Sequence, residues 1–138
     1  MKTRICSTIS LFACLLLLLT GCGSSSPDIE DQVWQLESLS QISEGSEPVE
    51  LYSADTSEGP APLTCTAQQG SFTLTDPRDN TAYQGSYQVM DRSSSGTGYS
   101  LTLGDTSGMA MVSYTKYASG ESVPTLVLQL DEYLFYFQ

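Results

Sequence analysis

Three features of this sequence predict an all-β fold over residues 33–138: a small antiparallel barrel or sandwich of about eight short strands. Apolar and polar residues alternate with period two over segment after segment, the pattern of a strand with one face buried. Clusters of Gly, Ser, Asp and Pro separate those segments at close intervals, as turns do in strand-rich domains. No window after residue 27 carries a helical spacing of apolar residues.

The elements follow in order. Val33-Trp34-Gln35-Leu36-Glu37-Ser38 puts Trp34 and Leu36 on one side and Gln35 and Glu37 on the other. Residues 39–47 read as a loop, a short strand Val49–Tyr52 follows, and residues 53–62 form a second loop. Ser71-Phe72-Thr73-Leu74-Thr75 and the segment Ala82–Val89 form a hairpin around Asp76-Pro77-Arg78-Asp79-Asn80. There Asp and Asn accept local backbone bonds and Pro presets φ. Gly85 inside the returning strand predicts a bulge or bend. Residues 93–98 read as a loop, then Tyr99, Leu101 and Leu103 alternate up to a further loop over 104–108. Met109–Tyr114 comes next, then Thr125–Leu130 with its leucines inward, a polar turn at Asp131-Glu132, and a final strand Tyr133–Phe137. Its aromatic residues suit a pleated, half-buried surface. Closing the sheet on itself would hide its edges.

The N-terminus carries a different signal. Lys2 and Arg4 precede an apolar run from Ile9 to Leu19, which is about half the roughly 20 residues that a transmembrane helix needs. Leu19-Thr20-Gly21-Cys22 ends the run with small residues before a cysteine. This stretch resembles a bacterial lipoprotein lipobox, which implies cleavage before Cys22 and lipidation of Cys22. The resemblance divides the chain into a signal peptide (1–21), a lipidated cysteine with a flexible tether (22–32), and the β-domain (33–138). One acyl chain binds a membrane only marginally, whereas several hold it firmly. Gly23 after the cysteine, where an Asp is lacking, is similar to lipoproteins sent to the outer membrane; it implies a lipid-anchored protein facing the periplasm or the cell exterior.

Composition narrows the function. After removal of residues 1–21, sixteen acids face only Arg78, Arg92 and Lys116, a formal charge of −13. Such a field repels nucleic acid, whose binding depends on Lys and Arg neutralising phosphates. Histidine is absent, which removes Ser-His-Asp and Cys-His catalysis and His-ligated metal. The reading is non-enzymatic, with no catalytic residues, no metal and no cofactor. Asp76, Asp79 and Asn80 read as a turn, since a full calcium loop is lacking. Asp28, Glu30 and Asp31 read as solvated linker. Cys65, the thiol left once the signal is removed and Cys22 is lipidated, is expected to be buried in apolar surroundings. Trp34, Phe72, Tyr83, Tyr87, Tyr99, Phe135 and Phe137 are expected to pack a core in preference to lining a ligand cavity. Tyr114, Tyr117, Tyr133 and Tyr136, if they lie outside, suit a protein interface.

The order of these pieces resembles the small lipocalin-like domains of bacterial lipoproteins. A tryptophan strand (Val33-Trp34-Gln35-Leu36) comes just after the tether. Gly70–Leu74, Gln84-Gly85-Ser86-Tyr87-Gln88-Val89, Tyr99–Leu103, Pro124–Leu128 and Tyr133–Phe137 follow. The resemblance implies a lipocalin-like barrel and a binding or envelope-maintenance role toward a small apolar ligand or an envelope protein. Two alternatives stay open. The W-x-L opening is also similar to the META domains of stress-associated lipoproteins, although their Gly-Cys-Asn stretch has no counterpart here. The acidity would also suit an inhibitor or immunity-like partner of a basic protein.

Overall fold

A computed structural model describes residues 26–59 and 61–138, which places the lipobox-like stretch and Cys22 outside the described residues. Nine strands form: β1 (Trp34–Gln41), β2 (Val49–Ser53), β3 (Thr64–Gln68), β4 (Ser71–Asp76), β5 (Thr81–Ser93), β6 (Gly96–Leu103), β7 (Thr106–Lys116), β8 (Ser122–Leu130) and β9 (Tyr133–Phe137). No helix occurs among the described residues. All neighbours are antiparallel, and β9 returns to pair with β1. The result is a closed eight-stranded lipocalin-like barrel with β2 as an extra strand.

Closure works because β1 serves several neighbours along its length. Trp34 and Gln35 pair with Cys65 and Thr64 of β3, while Leu36–Gln41 pair with β9. Beyond the point where β3 leaves, Ser38–Gln41 pair with β2 on that vacated side. Register irregularities at Leu36/Ser38 and Leu39/Ser40 accompany the change of partners, and bulges of this kind bend and twist a strand.

The inward positions follow the expected alternation. Trp34, Leu36, Leu126, Leu128 and Leu130 are buried, as are Ala110 and Val112, whereas Met109 and Met111 point outward and are half exposed. Cys65 is fully buried, and burial pushes its thiol up to about 12. A thiolate is the species that attacks a disulfide, and burial both encloses this sulfur and disfavours its thiolate.

Several strand ends differ from the sequence reading. Residues 93–98 and 104–108 were expected as loops, but the turns are only Ser94-Ser95 and Gly104-Asp105. Thr97 pairs with both Arg92 and Val112 and is completely buried. Cross-strand pairing overrides the turn preference of Ser and Gly there. Gly85 lies in regular register opposite Phe72, not in a bulge; the irregularity falls later, between Val89 and Asp91. Gly85 is required for space, because a Cβ would collide with the Phe72 ring and sit 2.6 Å from the Thr102 carbonyl oxygen. At the β3–β4 turn, Gln69 and Gly70 both take positive φ (50° and 82°), which two-residue hairpin loops favour.

Candidate functional site

The two ends of the barrel are built differently. The end at Trp34, Gln69-Gly70 and Thr97 is closed by residues 27–31, which the sequence reading assigned to a flexible, solvated tether. Pro27 and Ile29 are buried there. The Ile29 N–H donates to the Tyr99 hydroxyl (2.9 Å), and the Trp34 indole N–H donates to the Ile29 carbonyl (2.8 Å). Thr97 Oγ1 donates to the Pro27 carbonyl at 2.7 Å. The acids take part too. Asp28 pairs with Arg92 at 2.8 Å, and Glu30 accepts from the Gln69 N–H (2.6 Å) and from the Tyr87 hydroxyl.

Sequence reasoning missed this plug because three acids in four residues look like solvated linker. The residues that hold the segment, Gln69, Tyr87, Thr97 and Tyr99, lie 39 to 70 positions further along the chain. The electrostatics reflect the enclosure. Burial pushes the Asp28 carboxyl up, but the Glu30 amide, Arg92 and Tyr99 outweigh it and hold it below its ordinary value. Burial, then the Glu30 carboxylate, pushes Tyr87 up to about 12; burial does the same to Tyr99.

The opposite end is an open mouth. It is framed by the β4–β5 turn, the β6–β7 turn, the β8–β9 turn and the lead-in Pro62-Leu63. Between them lies a cavity of about 550 Å³. Leu36, Leu39, Leu63, Leu74, Leu103, Leu130 and Phe135 form its walls, with Tyr83 and Tyr133 at the lip. The aromatic residues therefore divide. Trp34, Phe72, Tyr87, Tyr99 and Phe137 fill the closed half as core, as expected. Tyr83 and Phe135 line the cavity instead. Side chains can fill an eight-stranded barrel or leave room for one small ligand, and this barrel does each over part of its length.

The rim is polar. Asp76, Arg78, Asp79, Thr81, Thr106 and Asp131 stand around the opening. Arg78 holds Asp76 through two nitrogens, with Nε 2.9 Å from Oδ1, and this grip keeps the Asp76 carboxyl down at about 2. Asp79 Oδ1 accepts the Thr81 N–H at 2.9 Å, a turn role of the kind expected for this segment. Asp131 occupies the left-handed region (φ 53°) in the β8–β9 turn. Leu39 is a wall residue that fell in a segment read as a loop, and Leu63 is one that lies just past the loop read over 53–62. Their only signal was an isolated apolar side chain among polar neighbours.

A second, smaller groove lies outside the barrel. Glu37, Glu50, Asp55, Tyr117, Tyr136 and Gln138 border it, over a volume of about 420 Å³. The Gln138 amide donates to Tyr136 at 3.1 Å, and Tyr117 is 44% exposed.

Fold and site together define a class: a small closed β-barrel with one end sealed by its own N-terminal segment and the other open and apolar. No family model matches this chain, and no curated protein or solved structure does so either.

Proposed function

We propose that this protein is a non-enzymatic, lipid-anchored lipoprotein of the bacterial outer membrane that holds a small apolar ligand in the mouth of its barrel. The observation that carries the reading is the leucine-walled cavity, whose roughly 550 Å³ falls within the usual range for small-molecule sites. The lipobox supplies the anchor, at Cys22. Orientation supports the same reading. Pro27, five positions after Cys22, is already buried in the closed end. Five residues reach at most roughly 17 Å, so an anchor at Cys22 keeps the closed end toward the bilayer and turns the mouth toward the aqueous side. A carrier receiving or presenting a lipophile needs that arrangement.

The test is a crosslinking pull-down of the acylated protein from native envelopes, with mass spectrometry of lipids extracted from the eluate. A defined lipophile that disappears in a Leu103→Arg variant supports the reading. An eluate free of small molecules overturns it. Cys22→Ser tests the anchor separately: loss of acyl labelling and release from the membrane fraction are expected.

A second reading, an acidic partner of a basic protein, draws on the outer groove, where three carboxylates lie beside Tyr117 and Tyr136. Steering by charge would make its association rate fall steeply with salt. A stoichiometric protein in the same eluate, lost on Glu37→Lys, would favour it.

A further inference from the structure

We infer that the mouth selects amphiphiles with a cationic head, the apolar part entering between the leucine walls and the head resting between Asp79 and Asp131. The inference rests on the mouth being a ligand site and adds the chemistry of the ligand.

Charge around the opening is lopsided. The three turns that frame the mouth carry Asp76, Asp79, Asp105, Asp131 and Glu132 against the single base Arg78. Arg78 is already committed, because its guanidinium grips both oxygens of Asp76. An anionic head would have to take Arg78 from a carboxylate two residues away, then sit beside two further carboxylates. A cationic head needs no such exchange. Asp79 uses one oxygen on the Thr81 N–H, and its other oxygen has no hydrogen-bond partner among the described residues. Asp131 lines the cavity from the far turn. The other two bases among the described residues add nothing here, since Arg92 is engaged with Asp28 at the closed end and Lys116 ends β7 away from the mouth. Tyr83, 53% exposed, and Tyr133, 37% exposed, stand at the lip, and aromatic faces attract cations as well.

Charge and apolarity thus divide the work. The walls provide attraction to any chain of suitable size, and the rim discriminates among heads. Exposed ion pairs are individually weak. Two carboxylates together support a preference on the order of tenfold, equivalent to about 1.4 kcal/mol.

The experiment titrates the lipidated full chain, held in nanodiscs of zwitterionic lipid, with n-decylammonium, n-decanol and n-decanoate. Saturable shifts of the Leu63, Leu103 and Leu130 methyl signals report occupancy of the mouth, apart from partition into lipid. Decylammonium is expected to bind about tenfold more tightly than decanoate in about 10 mM salt, with most of the difference gone near 1 M. Asp79→Asn combined with Asp131→Asn should erase the preference for decylammonium over decanoate. Asn keeps the Thr81 bond and tolerates the left-handed backbone at position 131. Equal binding of all three probes, or tighter binding of decanoate, overturns the head-group inference while leaving the mouth a lipophile site. No saturable shift with any probe overturns both.

Discussion

The closed and open ends of this barrel are made from the same strands, yet they use opposite means. At the closed end, five aromatic side chains and Ile29 are buried together and tied by hydrogen bonds to residues 27–31. At the mouth, leucines face one another across a cavity, and polar groups are confined to the rim. The difference teaches how close packing and open apolar surface divide between the two ends. A packed, hydrogen-bonded end supports the fold, because interiors are close-packed and each missing methylene is felt. An unfilled apolar end contributes less to stability and keeps surface available for a guest.

The sharpest break of this contrast is Trp34→Ala. It removes the largest core side chain and its bond to the Ile29 carbonyl. A loss of about 3–5 kcal/mol is expected in urea unfolding. Leu103→Ala at the mouth, where the side chain already borders empty space, should cost about 1 kcal/mol or less. Equal losses at the two positions would remove the contrast.

Next in size is Gly85→Ala. Its methyl would drive into the Phe72 ring and the Thr102 carbonyl, and overpacking of this kind costs about 1–3 kcal/mol. Denaturant unfolding measures the loss. A crystal structure of the variant should show the Phe72 ring displaced.

The pH response sharpens the comparison further. Tyr87 and Tyr99 are raised from 10.0 to about 12, so the folded state holds these protons more tightly than the unfolded chain does. Their contribution is complete below pH 10 and is lost as pH rises through about 12. Asp28 runs the other way. Its carboxyl is depressed below 3.8, so its contribution is present above that pH and lost as pH falls through the lowered folded value. Melting temperature against pH should decline on both flanks, and Tyr87→Phe should shrink the alkaline decline. Asp76 at the rim also titrates low, at about 2, but it is paired with a largely exposed arginine. Asp76→Asn should move the acid flank little, since exposed pairs contribute weakly.

The smallest effect expected on stability is that of the rim pair Asp79→Asn and Asp131→Asn. Unfolding should shift by no more than about 0.5 kcal/mol, while the cation preference of the mouth disappears. Stability and selectivity would then separate cleanly between the two ends.

Much of the fold was legible in the sequence because the side-chain period of a strand reports which face is buried. Trp34 with Leu36, Phe72 with Leu74, and Leu126 with Leu128 and Leu130 each announced an inward face, and the structure buries all seven. Loop lengths were less legible. Gly96-Thr97-Gly98 carries turn-forming residues, yet pairing with β5 and β7 holds it in a strand. The mouth was hidden for a related reason. A leucine facing a cavity and a leucine facing a core have the same spacing.

By itself the sequence determined an all-β, antiparallel, acidic domain without histidine chemistry, behind a segment resembling a lipoprotein signal. Those properties follow from local alternation, turn residues and composition. Only the tertiary structure decided that the sheet closes through β1 and β9, that Asp28, Ile29 and Glu30 seal one end, and that the other end stays open. Each of these depends on residues far apart in the chain meeting in space. The plug shows the physical reason. Ile29 gains its burial and its hydrogen bonds only when Trp34, Tyr99 and the rest of the closed end are assembled around it.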